Sequence, residues 1–529
     1  MMLIIQNLTY IHPDKELLFK NINLTVNRHD KIALIGNNGT GKSTLLKIAA
    51  GIFAPTDGQV YTDNSLYYLP QIFGQYNHLT VAQALKIESK LHALNEILDG
   101  NMTEANLALL NDDWTIEERC AEALRYWQLE NLDLSQKMET LSGGQKTKIF
   151  LAGIFIHQPE LVLLDEPSNH LDTSARKLLY DFIRFTSSAL LVVSHDRTLL
   201  NLLDLVYELS KFGISVYGGN YDFYATQKEI ENQALLHNVK SKEKELHKAG
   251  EKERETLERQ QKLNARGKKQ HKKEGMPKIM MNKLKNDAQK TTSRLKDAHT
   301  EKINVISQAL NELKNELSDI DRMKLDFDNS MLHKGKILIC ADNINFGYGN
   351  RLLWEESLSF RLSSGERIAL KGLNGSGKTT LIKIILGEIE PVSGKIYRAG
   401  SQAIYIDQDY SLISNQFTVY EQSQQFNRAT LQEHEIKTRL NRFLFAKDDW
   451  EKPCEILSGG EKMRLMLCCL TLNHRPPDII ILDEPTNNLD IQNIEILINA
   501  ISDYQGTLIV VSHDEYFLKK INAEREICL

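Results

Sequence analysis

Gly36-Asn37-Asn38-Gly39-Thr40-Gly41-Lys42-Ser43-Thr44 lies between a short apolar run, KIALI, and a helical stretch, LLKIAAGIF. A glycine-rich loop in that setting, ending in Gly-Lys-Ser, is the phosphate-cradling P-loop. The glycines let successive backbone N–H groups turn inward around phosphate oxygens, and the following helix offers its N-terminus to the same anion. Lys42 neutralises β- and γ-phosphates, and the Ser43 hydroxyl is a ligand for Mg²⁺. Downstream come Gln71 in YYLPQ, then Leu141 followed by Ser142-Gly143-Gly144-Gln145, then LVLLDEP with Asp165 and Glu166 closing an apolar strand. Asp165 is placed to hold Mg²⁺, and Glu166, one residue on, to act as base or to orient water. Leu171-Asp172 and LLVVSHD, with His195 after another strand, complete the order.

The whole order repeats. Gly372-Leu373-Asn374-Gly375-Ser376-Gly377-Lys378-Thr379-Thr380 is a second P-loop. Gln408 in YIDQ, Ser458-Gly459-Gly460-Glu461, Asp483 and Glu484 in IIILDEP, Asp490 in NNLD and His513 in LIVVSHD follow. The two P-loop lysines are 336 residues apart, the aspartates Asp165 and Asp483 are 318 apart, and so are the two histidines. Spacing that returns after every motif marks a tandem duplication. The first copy carries an insert of about 18 residues before its strand-end carboxylates, within Thr80 to Met138. That stretch reads as helical, and its apolar stripe through Trp114, Ile116, Ala121, Leu124 and Trp127 is expected to be core.

At 529 residues the chain is long enough for two or three domains, and with 42% apolar residues it can bury sizeable cores. Mean hydropathy is −0.35, and no uncharged apolar run approaches the roughly 18 residues needed to span a bilayer. The opening, MMLIIQNLTYIHPDK, has no basic stretch ahead of its apolar residues and leads directly into a strand, so no signal peptide is expected. The six cysteines show no metal-ligand spacing and are expected as buried thiols in a reducing compartment. A cytoplasmic protein is the expectation.

Between the two copies, Lys262 to Lys296 holds twelve Lys or Arg against Glu274 and Asp287, a local charge of +10. The whole chain carries −6, so the remainder carries −16. A basic tip on an acidic body points to nucleic acid or another anionic surface. The flanks read as two antiparallel helices. Ile306, Leu310, Leu313, Leu317 and Ile320 alternate steps of four and three, and Leu235, Val239, Leu246 and Ala249 sit at compatible, gapped positions. Forty-odd residues at helical rise give an arm of roughly 70 Å. Gly275-Met-Pro277 breaks the pattern between them, making the basic stretch the far tip, read here as a loop free to mould to RNA.

In this order the motifs resemble those of ATP-binding cassette (ABC) ATPases: P-loop, Q-loop, signature, Walker B, D-loop and H-switch. The twin cassettes, the absence of a membrane domain, the long basic-tipped linker and the YGGNYDFY segment that enters it resemble the ABC-F family over essentially the whole chain. The fold implied is α/β, two P-loop ABC nucleotide-binding domains joined by a long antiparallel α-helical hairpin. Its boundaries are 1–217, with a short arm insertion within about 80–138, then the linker 218–335 and the second cassette 336–529.

The resemblance also implies cofactors and roles. ATP and Mg²⁺ are the cofactors, with Ser43, Gln71 and Asp165, and Thr379, Gln408 and Asp483, as metal ligands. Each signature would close the opposite γ-phosphate site within a monomer, giving one site of Lys42, Asp165, Glu166 and His195 with Ser458. The other would be Lys378, Asp483, Glu484 and His513 with Ser142. Tyr348 stands where an adenine-stacking aromatic is expected. His12 takes that place in the first cassette, with Tyr10 the near alternative.

ABC-F proteins bind the ribosome near the tRNA exit site, with the hairpin reaching toward P-site tRNA and the peptidyl-transferase centre. Lys268, Lys269, Lys272, Lys273, Lys278, Lys283 and Lys285 would meet rRNA and tRNA phosphates. The long linker and small arm lean toward the antibiotic-protection branch over a housekeeping translation factor. The short arm puts contact with the large-subunit stalk in doubt. Two other classes remain: the ATPase subunit of a drug exporter, which needs a membrane partner, and a structural coiled-coil ATPase acting on DNA.

Overall fold

The computed structural model describes residues 2–13, 15, 17–62, 65–210, 213–273, 278–316, 335–349, 351–373, 375–473, 476–487 and 489–529. Asn374, Glu274, Gly275, Met276, Pro277, Leu317 and Ile320 therefore lie outside the described residues. So do the side chains of residues 264, 267–273, 278–289, 291–292, 294–295, 298, 315–316 and 348.

Apolar runs without alternation become strands buried on both faces. In the first cassette the strands are β1 (Leu3–Ile11), β2 (Leu17–Val26), β3 (Lys31–Ile35), β4 (Asp57–Thr62), β5 (Leu66–Leu69), β6 (Leu161–Asp165), β7 (Ala189–Val193), β8 (Leu205–Ser210) and β9 (Gly213–Gly218). The central sheet runs β5-β6-β7-β3-β8-β9, parallel except for the β8–β9 hairpin. A small antiparallel sheet, β2-β1-β4, packs against it through Leu3, Ile5, Phe19 and Ile22 in one core with Leu34, Leu45 and Leu163.

The second cassette repeats the plan with β10 (Ile337–Asn345), β11 (Gly347–Tyr348), β12 (Arg351–Leu352), β13 (Leu358–Ser363), β14 (Arg367–Lys371), β15 (Ser393–Arg398), β16 (Ala403–Ile406), β17 (Ile479–Asp483), β18 (Thr507–Val511) and β19 (Arg525–Cys528). Its parallel sheet is β16-β17-β18-β14-β19 and its antiparallel one β13-β10-β15. Both sheets therefore bring the P-loop strand beside the strand that leads to the H-switch histidine, with the carboxylate strand next to that one.

The insertion of the first cassette is a pair of helices, Glu88–Leu98 and Glu104–Leu110, for which the second cassette has no counterpart between Val419–Phe426 and Glu433–Arg442. The apolar stripe expected as core is only partly buried. Ile116, Leu124 and Trp127 are buried, but Trp114 is 48% exposed and Ala121 lies on the open face. The helix begins only at Ile116, leaving Trp114 in the preceding turn, and the buried face runs through Ile116, Cys120, Ala123, Leu124 and Trp127. The cysteines also divide. Cys120, Cys454, Cys468 and Cys469 are buried free thiols, Cys340 is half-buried, and Cys528 is exposed because β19 is an edge strand.

Two compact units result, Met1–Tyr224 with Met323–Leu529, and Ala225–Arg322. The second consists of an outgoing helix that begins in the first unit, Tyr221–Lys273, and a return helix, Lys278–Glu316. Val239, Ile306 and Leu310 are buried in it, Leu235, Leu246, Ala249 and Leu313 half-buried, and Lys314 Nζ meets Glu243 at 2.7 Å. The basic stretch is not the loop expected from sequence. Lys268, Lys269, Lys272 and Lys273 lie on the outgoing helix and Lys278, Lys283 and Lys285 on the return one, since Lys, Gln, Ala and Arg are good helix formers. Among the described residues, no helix is long and apolar enough to cross a membrane.

Candidate active site

Each P-loop is a turn that only glycine permits. Gly41 and Gly377, the residues before the helices Lys42–Ala49 and Lys378–Leu386, have φ of 94° and 93°. A Cβ at Gly41 would stand 2.7 Å from Leu18 Cδ2, and the loop would open. Lys42 Nζ donates to the Gly36 and Asn37 carbonyls (2.6 and 3.1 Å), and Lys378 Nζ to those of Gly372 and Leu373 (2.8 and 3.1 Å). Burial lowers the pKa of both lysines, against the pull of nearby carboxylates.

Ser43 Oγ donates to Asp165 Oδ1 at 2.9 Å, so the hydroxyl and the carboxylate assigned to Mg²⁺ meet across the sheet. The backbone then turns left-handed at Glu166 (φ 52°) and, in the second copy, at Glu484 (φ 46°). Each glutamate amide donates to the last residue of the neighbouring strand, Glu166 to Val193 O and Glu484 to Val511 O, both 2.8 Å. These bonds aim both carboxylates at the histidines. His195 Nε2 is 3.4 Å from Glu166 Oε1 and His513 Nε2 is 3.5 Å from Glu484 Oε1, close but outside hydrogen-bonding geometry.

A cavity of about 270 Å³ opens on the first P-loop, with His12, Asn38, Gly39, Gly41, Lys42, Ser43, Thr44, Gln71, Glu166 and His195 in its wall. His12 thus faces the nucleotide end of the loop, whereas Tyr10 stacks parallel on Phe53. The wall is drawn from the first cassette alone, and Ser458 is not in it. The D-loops cross between the cassettes. Asn38 N donates to Asp490 Oδ2 at 2.9 Å, and Thr173 Oγ1 lies 3.1 Å from His513 Nδ1. Ser142 and Ser458 instead cap the helices Gly143–His157 and Gly459–Thr471 in reciprocal boxes with Gln145 and Glu461. The two halves of each composite site expected from sequence are therefore apposed through their D-loops, while the signature serines serve their own helix ends.

Two tyrosines escaped the sequence reading. Tyr68 Oη donates to Asp165 Oδ2 (3.3 Å) and Tyr405 Oη to Asp483 Oδ2 (2.8 Å). Each stands three residues before its Q-loop glutamine, so the duplication itself carried the signal.

The residues fit a nucleotide. Buried Glu166 Oε1 and His513 Nε2 have no hydrogen-bond partner, as expected of groups whose partners are phosphate and water. Burial, reinforced by Asp165, pushes the Glu166 carboxyl up to about 8, and burial pushes Glu484 up to about 7. A carboxyl poised near neutrality is matched to accepting a proton from water. The same shift has a stability consequence. Below the ordinary value of 4.5 the folded and unfolded chains both hold the Glu484 proton. Above it the unfolded chain releases the proton first, so stability falls as pH rises and the loss is complete above about 7. Glu484→Gln removes that loss. Thermal melts of the nucleotide-free protein should show the variant more stable than wild type near ~pH 8.5, by on the order of 2–3 kcal/mol, and equal to it near ~pH 4. Equal melting at both would contradict the burial assigned to this carboxyl.

Two P-loops, two strand-end carboxylate pairs and two signature helices on a repeated fold define a twin-cassette ABC ATPase. The family model described as "ABC transporter" matches residues 19–169 and 356–487. YdiF, an ATP-binding protein of Bacillus subtilis (strain 168), is 32% identical over 531 residues, covering 95% of this chain and 76% of that one. The ATP-binding protein Uup of Haemophilus influenzae is 30% identical, covering 96% and 76%. ABC transporter F family member 5 of Arabidopsis thaliana is 28% identical, covering 95% and 72%. Among solved structures, the archaeal ribosome recycling factor aABCE1, in complex with the stalk protein aP1, has a TM-score of 0.61 at 20% identity over 99% of this chain and 87% of that one, a likeness of fold. The chain belongs to the ABC-F family, and it is an ATPase that binds ATP at its cassettes.

Proposed function

We propose that this ATPase works in the cytoplasm as a monomer on the ribosome, bound near the tRNA exit site with its linker tip toward P-site tRNA and the peptidyl-transferase centre, and that it protects translation from antibiotics acting there. The observation that carries this reading is the +10 stretch from Lys262 to Lys296 at the turn of a two-helix linker. Lys and Arg gain affinity for rRNA and tRNA by releasing counterions from phosphates. The fold likeness to an archaeal ribosome recycling factor is consistent with it.

ATP binding closes the cassettes and favours the ribosome-bound state, and hydrolysis releases it. Lys42 and Lys378 hold the β- and γ-phosphates. Ser43, Asp165 and Gln71 in one site, and Thr379, Asp483 and Gln408 in the other, would hold Mg²⁺, which would neutralise charge on the transferring phosphoryl group. A hydroxyl, one carboxylate and one side-chain amide are few ligands, as would suit an ion that keeps its waters and shares phosphate oxygens. Glu166 and Glu484 accept the proton of the attacking water, with His195 and His513 beside them.

The tip also carries Met276, Pro277, Ile279, Met280, Met281 and Leu284, which a purely electrostatic tether would not need. Met280, Met281 and Leu284 all changed to Ser should leave ATPase activity and ribosome co-sedimentation near wild type, because the lysines remain. Rescue of in vitro translation titrated with a peptidyl-transferase-centre antibiotic should fall, compared at equal ribosome occupancy. Equal rescue by the two proteins would reduce the cluster to local packing and remove the support for protection.

A further inference from the structure

The two H-switch histidines are wired to the opposite cassette in one direction only. The helix that follows the first D-loop, Thr173–Phe185, carries Thr173, Arg176 and Tyr180 at steps of three and four, on one face. Thr173 reaches across to the second cassette, its Oγ1 3.1 Å from Nδ1 of His513. The Arg176 charge also reaches Glu484 of the second cassette, pulling against the upward push of burial there. Within the first, Arg176 and Tyr180 hold the Asp196 carboxylate next to His195, at 3.8 Å and 2.6 Å. Arg197, the next residue, returns to the second cassette, where its guanidinium pairs with Glu495 and lies 4.0 Å over the Tyr516 ring.

The 318-residue repeat places Ile491, Ile494 and Ile498 opposite Thr173, Arg176 and Tyr180. Isoleucine has neither donor nor acceptor, so these three positions of the second cassette offer His195 no hydrogen-bonding side chain in return. The structure bears the mark of that loss, since Nδ1 of His195 is buried without a hydrogen-bond partner. Nδ1 of His513 has Thr173, which leaves its Nε2 as the nitrogen turned toward Glu484.

We infer that Thr173 is a positioning residue for the second ATP site, fixing the His513 imidazole from the opposite cassette, and that the first site, lacking the reciprocal contact, turns over more slowly. The inference rests on the reading of Glu166 and Glu484 as the hydrolytic carboxylates. Its physical basis is orientation: a ring held at one nitrogen presents the other in a fixed direction, and small errors of placement are costly at a reacting centre. The contact has a second consequence. Because Thr173 follows the first D-loop directly, movement of the first cassette adjusts His513.

Single-site backgrounds of the full chain test this. Glu166→Gln leaves only the second site and Glu484→Gln only the first. Added to Glu166→Gln, Thr173→Val should lower kcat about tenfold with little change in KM for ATP, and Thr173→Ser, which keeps the hydroxyl, should restore it. Added to Glu484→Gln, Thr173→Val should leave turnover as it was, and turnover in that background should be the slower of the two to begin with. Equal loss in both backgrounds, loss that Thr173→Ser does not restore, or no loss in either overturns the inference. The double glutamine variant, run alongside, reads the glutamate assignment separately. Wild-type turnover there would overturn that assignment, whereas its loss together with an equal Thr173→Val effect in both backgrounds would remove only the role of Thr173.

Discussion

Glu166→Gln combined with Glu484→Gln should bind ATP as wild type does and hydrolyse it at least roughly 10²-fold more slowly. The amide is nearly isosteric with the carboxylate, and the backbone bonds from residues 166 and 484 to Val193 and Val511 do not involve the side chain. The P-loops are untouched, so Lys42 and Lys378 keep their phosphate contacts. What disappears is the group that takes the proton from water, at a buried position in the first site and a half-buried one in the second. On the proposed function, the variant stays on ribosomes in ATP and inhibits translation, because closure is no longer followed by release. Phosphate release and filter-bound nucleotide measure the two halves of the claim. Hydrolysis at the wild-type rate would show that both carboxylates are structural.

Replacing Lys268, Lys269, Lys272 and Lys273 with Gln should weaken ribosome binding and flatten its dependence on salt. Each lost phosphate contact lowers the log–log slope by roughly 0.7–0.9, so the four together remove about 3 units. Over a fourfold rise in salt, wild-type affinity would then fall roughly 60-fold further than that of the variant. All four residues lie in the helical segment that ends at Lys273, and Gln is close to Lys in helix propensity, so the outgoing helix should survive, which circular dichroism checks. Co-sedimentation across a salt series reads the slope directly. An unchanged slope would mean that these lysines only keep the helix solvated.

Much of the chemistry is legible in the order of residues alone. Gly36 to Thr44 and Gly372 to Thr380 need glycine because the backbone must adopt φ values closed to other residues, and that demand is local. Strand-end carboxylates stand out for the same reason, since LVLLDEP and IIILDEP place an abrupt charge after a buried apolar run. The repeat then checks one cassette against the other.

Less is legible where the governing contact is distant or the local signals conflict. The basic stretch reads as a loop because charge density and Gly275-Met-Pro277 outweigh the helix propensity of its Lys, Gln and Ala residues, yet the helices run to Lys273 and from Lys278. Trp114 reads as core because it fits the apolar period, but the helix begins two residues later.

By itself, then, the sequence determined two phosphate cradles, two carboxylate pairs, their duplication and the charge of the linker, all features that a few consecutive residues express through backbone conformation, period or charge. Only the tertiary structure decided which groups meet. Tyr68 and Tyr405 sit on the Walker B aspartates, Asp490 accepts from the amide of Asn38, and Thr173 holds His513 while Ile491 holds nothing. These pairings span 78 to 452 residues. They are fixed by how two sheets and their D-loops pack, and packing is a sum over whole cores that no local pattern records.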